Sequence, residues 1–116
     1  MNLVPANVTH LDSVVQLEKA TFPDDAISKR SFRRFIESNT ADFFVMLNDK
    51  RVVGYYVVLF RNNTNLARLY ALVLSPQFRG NGFGKQLLQH AEDRADLRHS
   101  LFLRTEVATS NQLAQQ

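Results

Sequence analysis

The sequence predicts a mixed α/β domain, a central sheet with helices on both faces, and three observations lead there. Apolar residues recur at helical spacing in the first third of the chain, then give way to short strand-like runs from Asp42 onward. The runs DFFVML, VVGYYVVLF and LARLYALVL are apolar at both odd and even positions, so neither face of their sheet can lie bare to water. A basic, glycine-rich loop then leads into an amphipathic helical pattern, and strand, loop and helix N-terminus in that order can hold a phosphate through backbone amides.

Taken in order, Leu3 and Val4 make a short first strand that Pro5 closes. Thr9 and Asp12 stand three apart, close to a capping box. Behind them Leu11, Val14, Val15 and Glu18 share one face of a helix to about Ala20, widened by Leu17. Phe22-Pro23-Asp24-Asp25 breaks that pattern. Ser28 caps a second helix, with Phe32, Phe35 and Ile36 on one face, and Ser38-Asn39-Thr40 ends it. Asp42–Leu47 and Val52–Phe60 form an antiparallel hairpin through the polar turn at Asn48–Arg51. Gly54 inside its strand points to a bulge or a close backbone approach. Leu66–Leu74 is a third long strand. After the loop, Gly84, Leu87, Leu88, Ala91 and Ala95 form the buried stripe of a helix, and Lys85, Gln86, Gln89, Glu92 and Asp93 its wet face. Leu101–Val107 alternates as a fifth strand, and Ser110-Asn111 opens a further helix.

The totals narrow the function. A length of 116 residues allows one domain with a true core, and 45% hydrophobic against 22% charged residues is the balance of a folded chain. Without cysteine there are no disulfides, thiolate metal sites or cysteine nucleophiles, which fits a reducing compartment. The N-terminus lacks a basic start followed by a long apolar run, and no apolar stretch is long enough for a bilayer, so a cytoplasmic protein is expected. The net charge of +3 is scattered over Lys29–Arg34, Arg79–Lys85 and Arg94–Arg104, with acidic residues between. No basic run or basic–aromatic pattern marks a nucleic-acid partner. His10, His90 and His99 lack metal-ligand spacing and read as surface residues.

The loop itself is Arg79-Gly80-Asn81-Gly82-Phe83-Gly84-Lys85. A Walker loop would need glycine where Arg79 stands and Ser or Thr where Gln86 stands. A Rossmann fingerprint on Gly80 and Gly82 would need glycine at Lys85. What remains is Arg-x-x-Gly-x-Gly, preceded by Leu74-Ser75-Pro76 and followed by Leu101-x-Leu103-x-x-Glu106-Val107-x-x-Ser110-Asn111. This wording resembles the GNAT superfamily of N-acetyltransferases, nearest to the bacterial ribosomal-protein alanine acetyltransferase type. The order β-α-α-β-β-β-loop-α-β is similar to that family's first two-thirds, so the resemblance covers essentially the whole chain.

The resemblance implies a GNAT-like fold with a mostly antiparallel sheet, and acetyl-coenzyme A as cosubstrate with no metal. Physically, Gly80, Gly82 and Gly84 let the backbone approach a pyrophosphate, and amides from Arg79 to Lys85 can turn toward its oxygens. The helix dipole adds about 0.3–1 kcal/mol, or up to ~2 when partly buried. Arg79 and Lys85 bring charge to the same place. By the family match, Leu72, Val73 and Leu74 offer backbone groups to the pantetheine arm and thioester carbonyl. Glu106 matches the family's base, acting directly or through a water, and Asn111 matches an asparagine that touches the coenzyme. With no cysteine and no Ser/His/Asp set, direct attack of an amine in a ternary complex is the default. Phe22–Asp25 falls where the family's acceptor loop lies, and Tyr70 is near enough to touch an acceptor.

An α-amine with a pKa of about 7.7–8.0 is substantially neutral at physiological pH, whereas lysine near about 10.4 is almost wholly charged. One modest base therefore suits protein N-termini or small α-amines. The family continues with the rest of the last helix, two more strands and a tyrosine acid, so the resemblance marks these 116 residues as an incomplete domain, a weak binder of acetyl-coenzyme A with little turnover of its own. It leaves Leu101–Val107 as an edge open to homodimerisation or strand exchange. The rival reading is a non-catalytic acyl-coenzyme A-binding regulatory module. Glu106→Gln separates the two, because an enzyme loses rate with binding intact while a sensor changes little.

Overall fold

The computed structural model describes residues 1–61, 65–103 and 108–109. The elements are β1 (Asn2–Pro5), a 3-10 turn (Val8–His10) running into α1 (Leu11–Thr21), α2 (Lys29–Glu37), β2 (Ala41–Asn48), β3 (Arg51–Phe60), β4 (Leu66–Leu74), a second 3-10 turn (Pro76–Phe78), α3 (Phe83–Leu97), β5 (Leu101–Leu103) and β6 (Ala108–Thr109). The sheet runs β1-β2-β3-β4-β5, antiparallel through β4, while β5 and β6 both pair with β4 in parallel. A parallel partner requires a crossover, and α3 is that crossover. The expected order and the mostly antiparallel sheet are therefore present. Of the fifth strand expected over Leu101–Val107, Leu101–Leu103 is strand; residues 104–107, and with them Glu106, lie outside the described residues, as does Asn111.

Local chemistry explains the element ends, with one correction. The cap of the first helical segment is Asn7, not Thr9. Asn7 Oδ1 accepts from the Thr9 amide at 2.9 Å, and His10 Nδ1 accepts from the Asn7 amide at 3.1 Å. Asp12 pairs instead with Lys29 at 2.8 Å, which joins α1 to α2. Ser28 caps α2 as expected, its hydroxyl accepting from the Ser31 amide at 3.1 Å. The β2–β3 turn places Asp49 and Lys50 at φ of 55° and 73°, the left-handed pair whose twist matches a two-residue hairpin. Met46 pairs with Gly54 and Leu47 with Val52, so Val53 is an extra residue and Gly54 borders a bulge. A second bulge lies in β4, where Val57 pairs with Ala71 and Val58 with Leu69, leaving Tyr70 unmatched.

Both sheet faces are buried, as the two-sided strands require. Tyr55, Val57 and Val73 face Val14 of α1 and Phe32 of α2, while Tyr56, Val58, Leu72 and Leu74 face Leu87, Ala91 and Ala95 of α3. Each fully buried large apolar side chain contributes about 1.5–3 kcal/mol. On the α3 side the core ends in a polar cluster. Asp42, 5% exposed, accepts from Arg94 Nε at 2.9 Å and faces Arg98 at 3.4 Å. The two guanidinium groups lie over the rings of Phe44 and Phe60, at 4.7 and 4.1 Å.

His90 belongs to this cluster, which corrects its reading as a surface residue. Its Nδ1 is 2.7 Å from the Tyr56 hydroxyl and its ring centroid is 4.7 Å from that of Phe44. His10 serves as the cap described above, and His99 is exposed. Burial holds the His90 pKa below its ordinary value, helped by Arg94 and opposed by Asp42 and Asp93. The unfolded chain therefore takes up this proton first. Stability should be full above about pH 6.5 and fall as the pH drops through the lower folded value. His90→Asn keeps an acceptor for Tyr56 and cannot titrate, so its unfolding midpoint should lose less between pH 7 and pH 5 than the parent's. His10, whose pKa burial also lowers, leaves some slope behind. Equal slopes in urea titrations would contradict the assignment.

Candidate functional site

At the end of β4 the side chains of Leu72, Val73 and Leu74 are all in the core. The Ser75 amide donates to the Val53 carbonyl at 2.7 Å, so Val73, two residues earlier, also faces β3. By alternation Leu72 and Leu74 present their peptide groups to the opposite edge. There Leu72 pairs with Thr109 of β6, and the Leu74 carbonyl accepts from Arg79 Nε at 3.0 Å. Arg79 thus folds back to brace the loop against the strand it leaves.

Beyond Arg79 the chain turns through two left-handed glycines, Gly80 at φ 85° and Gly82 at φ 84°. A Cβ at either would meet nothing within 4 Å, so the requirement is conformational, not spatial. Gly82 is also the residue that caps α3. The Phe78 amide is bonded to Ser75 O and the Arg79 amide to Pro76 O, and the helical ladder begins with Gln86 donating to Gly82 O at 3.1 Å. Between them, none of the amides from Gly80 to Lys85 donates to a well-aligned acceptor among the described residues. Gly80, Asn81, Gly82 and Lys85 are exposed, while Phe78 and Phe83 pack edge to face at 6.2 Å and root the loop in the α3-side core. No acidic residue stands in the first turn of α3. The result is a run of unmet donors at the positive end of a helix, an anion cradle of the kind a pyrophosphate fits.

A second feature lies across the sheet from α3. A cavity of about 230 Å³ opens between the α1–α2 connection and the bulged part of β4, lined by Glu18, Phe22, Asp25, Ile27, Arg68, Tyr70 and Ala71. It adjoins the cradle strand, because Ala71 in its wall directly precedes Leu72. Tyr70, the unmatched residue of the β4 bulge, is half-buried and rests edge to face on Phe35 at 5.6 Å. Glu18 is 2% exposed, accepting from the Tyr55 hydroxyl and from the Ile27 amide at 2.8 Å. Burial and this carboxylate push the Tyr55 pKa far above the phenol range. Phe22 and Asp25 of the expected acceptor loop, and Tyr70, line this cavity. Sequence reasoning missed Glu18 as a site residue, and the available signal was a carboxylate within the apolar stripe of α1.

The structure thus brings Leu72, Val73, Leu74 and Arg79 through Lys85 to one junction; Glu106 and Asn111 lie outside the described residues. Among the described residues no three His, Asp or Glu side chains gather as a metal site, and no helix is long and apolar enough to cross a membrane.

Residues 11–116 match the model of the Acetyltransferase (GNAT) family. No curated protein sequence matches the chain. Among solved structures, a ribosomal-protein-alanine N-acetyltransferase from Escherichia coli superposes with a TM-score of 0.71 at 16% identity, covering 84% of this chain and 60% of the enzyme. The PaiA N-acetyltransferase from Thermoplasma acidophilum, solved in complex with coenzyme A, gives 0.73 at 19% identity, with 84% and 73% covered. An aminoglycoside antibiotic 6′-N-acetyltransferase from Acinetobacter haemolyticus gives 0.76 at 18%, with 99% and 85% covered. At these identities the shared property is the fold. The chain spans under two-thirds of the Escherichia coli enzyme's length.

Proposed function

The chain belongs to the GNAT acetyltransferase family, and from that premise we propose that residues 1–116 bind acetyl-coenzyme A for transfer of its acetyl group to a primary amine. The observation that carries the reading is the run of unmet amides from Gly80 to Lys85 behind two left-handed glycines. In this reading those amides hold the pyrophosphate, the Lys85 ammonium adds charge beside them, and Arg79 keeps the loop in register through Leu74. Asn111 adds a contact to the coenzyme. In the stretch Leu72–Leu74 it is the Leu74 amide, turned away from β3, that aligns the pantetheine arm and polarises the thioester carbonyl.

The acceptor enters from the cavity bounded by Phe22, Asp25 and Tyr70. Its nitrogen lone pair attacks the carbonyl carbon, the carbon–sulfur bond breaks, the thiolate leaves, and Glu106 takes the proton that the nitrogen sheds, directly or through water. The neutral fraction of an α-amine at physiological pH, against that of a lysine, favours a protein N-terminus or a small α-amine as acceptor. A cytoplasmic location accords with the cysteine-free composition.

Gly82→Ala is the test. The added methyl meets no atom, so thermal stability should drop only by the left-handed backbone cost of about 1–2 kcal/mol. Relaxing that strain turns the neighbouring amides away. Each lost bond to a charged phosphate costs about 1.5–3 kcal/mol, so calorimetric affinity for acetyl-coenzyme A should weaken about tenfold or more. Unchanged affinity in a folded Gly82→Ala variant would remove the cradle from the argument.

A further inference from the structure

We propose that Glu18 is the positioning residue of the acceptor site: its buried carboxylate clips the α1–α2 connection to the sheet and so sets the shape of the cavity that receives the amine. The inference rests on the acceptor reading just given.

Glu18 sits near the end of α1, on the face that carries Leu11 and Val14 into the core. A carboxylate buried at 2% exposure is costly by several kcal/mol unless its oxygens are satisfied. Among the described residues no cation pairs with it; the ion pairs are Lys29 with Asp12, and Arg94 and Arg98 with Asp42. Its partners are instead two neutral donors from different elements. One oxygen takes the hydroxyl of Tyr55, wholly buried in β3, and the other takes the Ile27 amide at 2.8 Å. Glu18 precedes the connection between the helices and Ile27 follows it, immediately before the Ser28 cap of α2. One carboxylate therefore fastens both ends of this connection to a single point on the sheet. Phe22 and Asp25, which the connection carries, wall the cavity opposite Tyr70 and Ala71. Moving the clip moves that wall while leaving Gly80–Lys85, on the far side of β4, in place.

Two substitutions separate position from charge. Glu18→Gln removes the charge but can keep both links, Oε1 accepting from Ile27 and Nε2 donating to the Tyr55 oxygen in a bond of reversed direction. Glu18→Ala removes both links. The readouts are calorimetric binding of a short peptide with a free alanine N-terminus to protein saturated with coenzyme A, binding of coenzyme A itself, and hydrogen exchange at the Ile27 amide. In Glu18→Ala, peptide binding should weaken and exchange accelerate by about tenfold or more, while Glu18→Gln stays within about threefold of the parent on both. Coenzyme A affinity should be unchanged in each. Equal losses in the two variants would overturn the proposal in favour of a charge acting directly on the amine. A parallel loss of coenzyme A affinity would overturn it in favour of general destabilisation. If Glu18→Ala does not fold, Tyr55→Phe cuts only the link to the sheet and takes its place with the same readouts. A parent that binds coenzyme A but not the peptide defeats the acceptor reading instead; the clip is then judged by exchange, and unchanged exchange at Ile27 overturns it.

Discussion

Phe32→Ala is expected to lower the free energy of unfolding by about 3–5 kcal/mol, the range for truncating a fully buried aromatic ring. Against a total of about 5–15 kcal/mol for a domain of this kind, that is a large share. Phe32 is completely buried, and its ring meets Phe43 at 5.5 Å, Tyr55 at 5.6 Å and Phe35 at 6.2 Å, the last two edge to face. Two of these neighbours are held in β2 and β3 and cannot collapse into the space left behind. The site matters more than its area suggests, because Phe32 is the only fully buried residue of α2. Half of the rest of KRSFRRFIE is cationic, and nine residues are too few for an isolated helix in water. Tertiary anchorage is what keeps α2 folded. Urea unfolding of Phe32→Ala beside Phe35→Ala measures this directly. Phe35 is half-buried, so its truncation should cost clearly less. Similar small losses for both would show that α2 is not held through Phe32.

Much of this was legible in the chain because several local signals agreed at each place. The junction from Leu72 to Lys85 joins a two-sided apolar strand, a proline turn, a basic glycine loop and a helical stripe, and each demands the same backbone path. Leu66–Leu74 matched its strand to the residue. The readings that failed depended on contacts between distant residues. His90 stands on α3 beside the buried stripe, and only the hydroxyl of Tyr56 and ring of Phe44, from β3 and β2, make it a half-buried, bonded group. Thr9 has the spacing of a cap, but the chain enters through a 3-10 turn that starts earlier and gives the role to Asn7. Glu18 was visible on the apolar face; its link across the connection to Ile27 was not, because that bond exists only once α2 has docked. The β4 bulge at Tyr70 is equally silent in sequence, since a bulge is a mismatch in pairing and not a property of one strand.

Gly54 is where fold and cradle meet, and replacing it should damage both. Gly54→Ala is expected to cost about 1–3 kcal/mol of stability and Gly54→Val more, as overpacking does where neighbours cannot move. A Cβ at this position would lie 3.0 Å from the Val73 carbonyl oxygen, 3.1 Å from Leu74 Cδ1 and 3.2 Å from Leu87 Cδ1. Both leucine side chains are fully buried and the Val73 carbonyl is held in the sheet, so none of the three can simply turn away. Relief therefore requires β4 to shift at Val73, or α3 to lift at Leu87, in the turn after Gly84. Either movement carries one rim of the Gly80–Lys85 loop away from the other. Acetyl-coenzyme A affinity and unfolding free energy should then fall together along the series Gly, Ala, Val, in contrast to Gly82→Ala, where the larger effect is on binding. Denaturation and calorimetry on the same preparations read both quantities. A Gly54→Val protein with parental stability would mean that α3 does not depend on this approach. One that loses stability but binds the coenzyme normally would mean that the loop keeps its shape independently of the strand and helix beneath it.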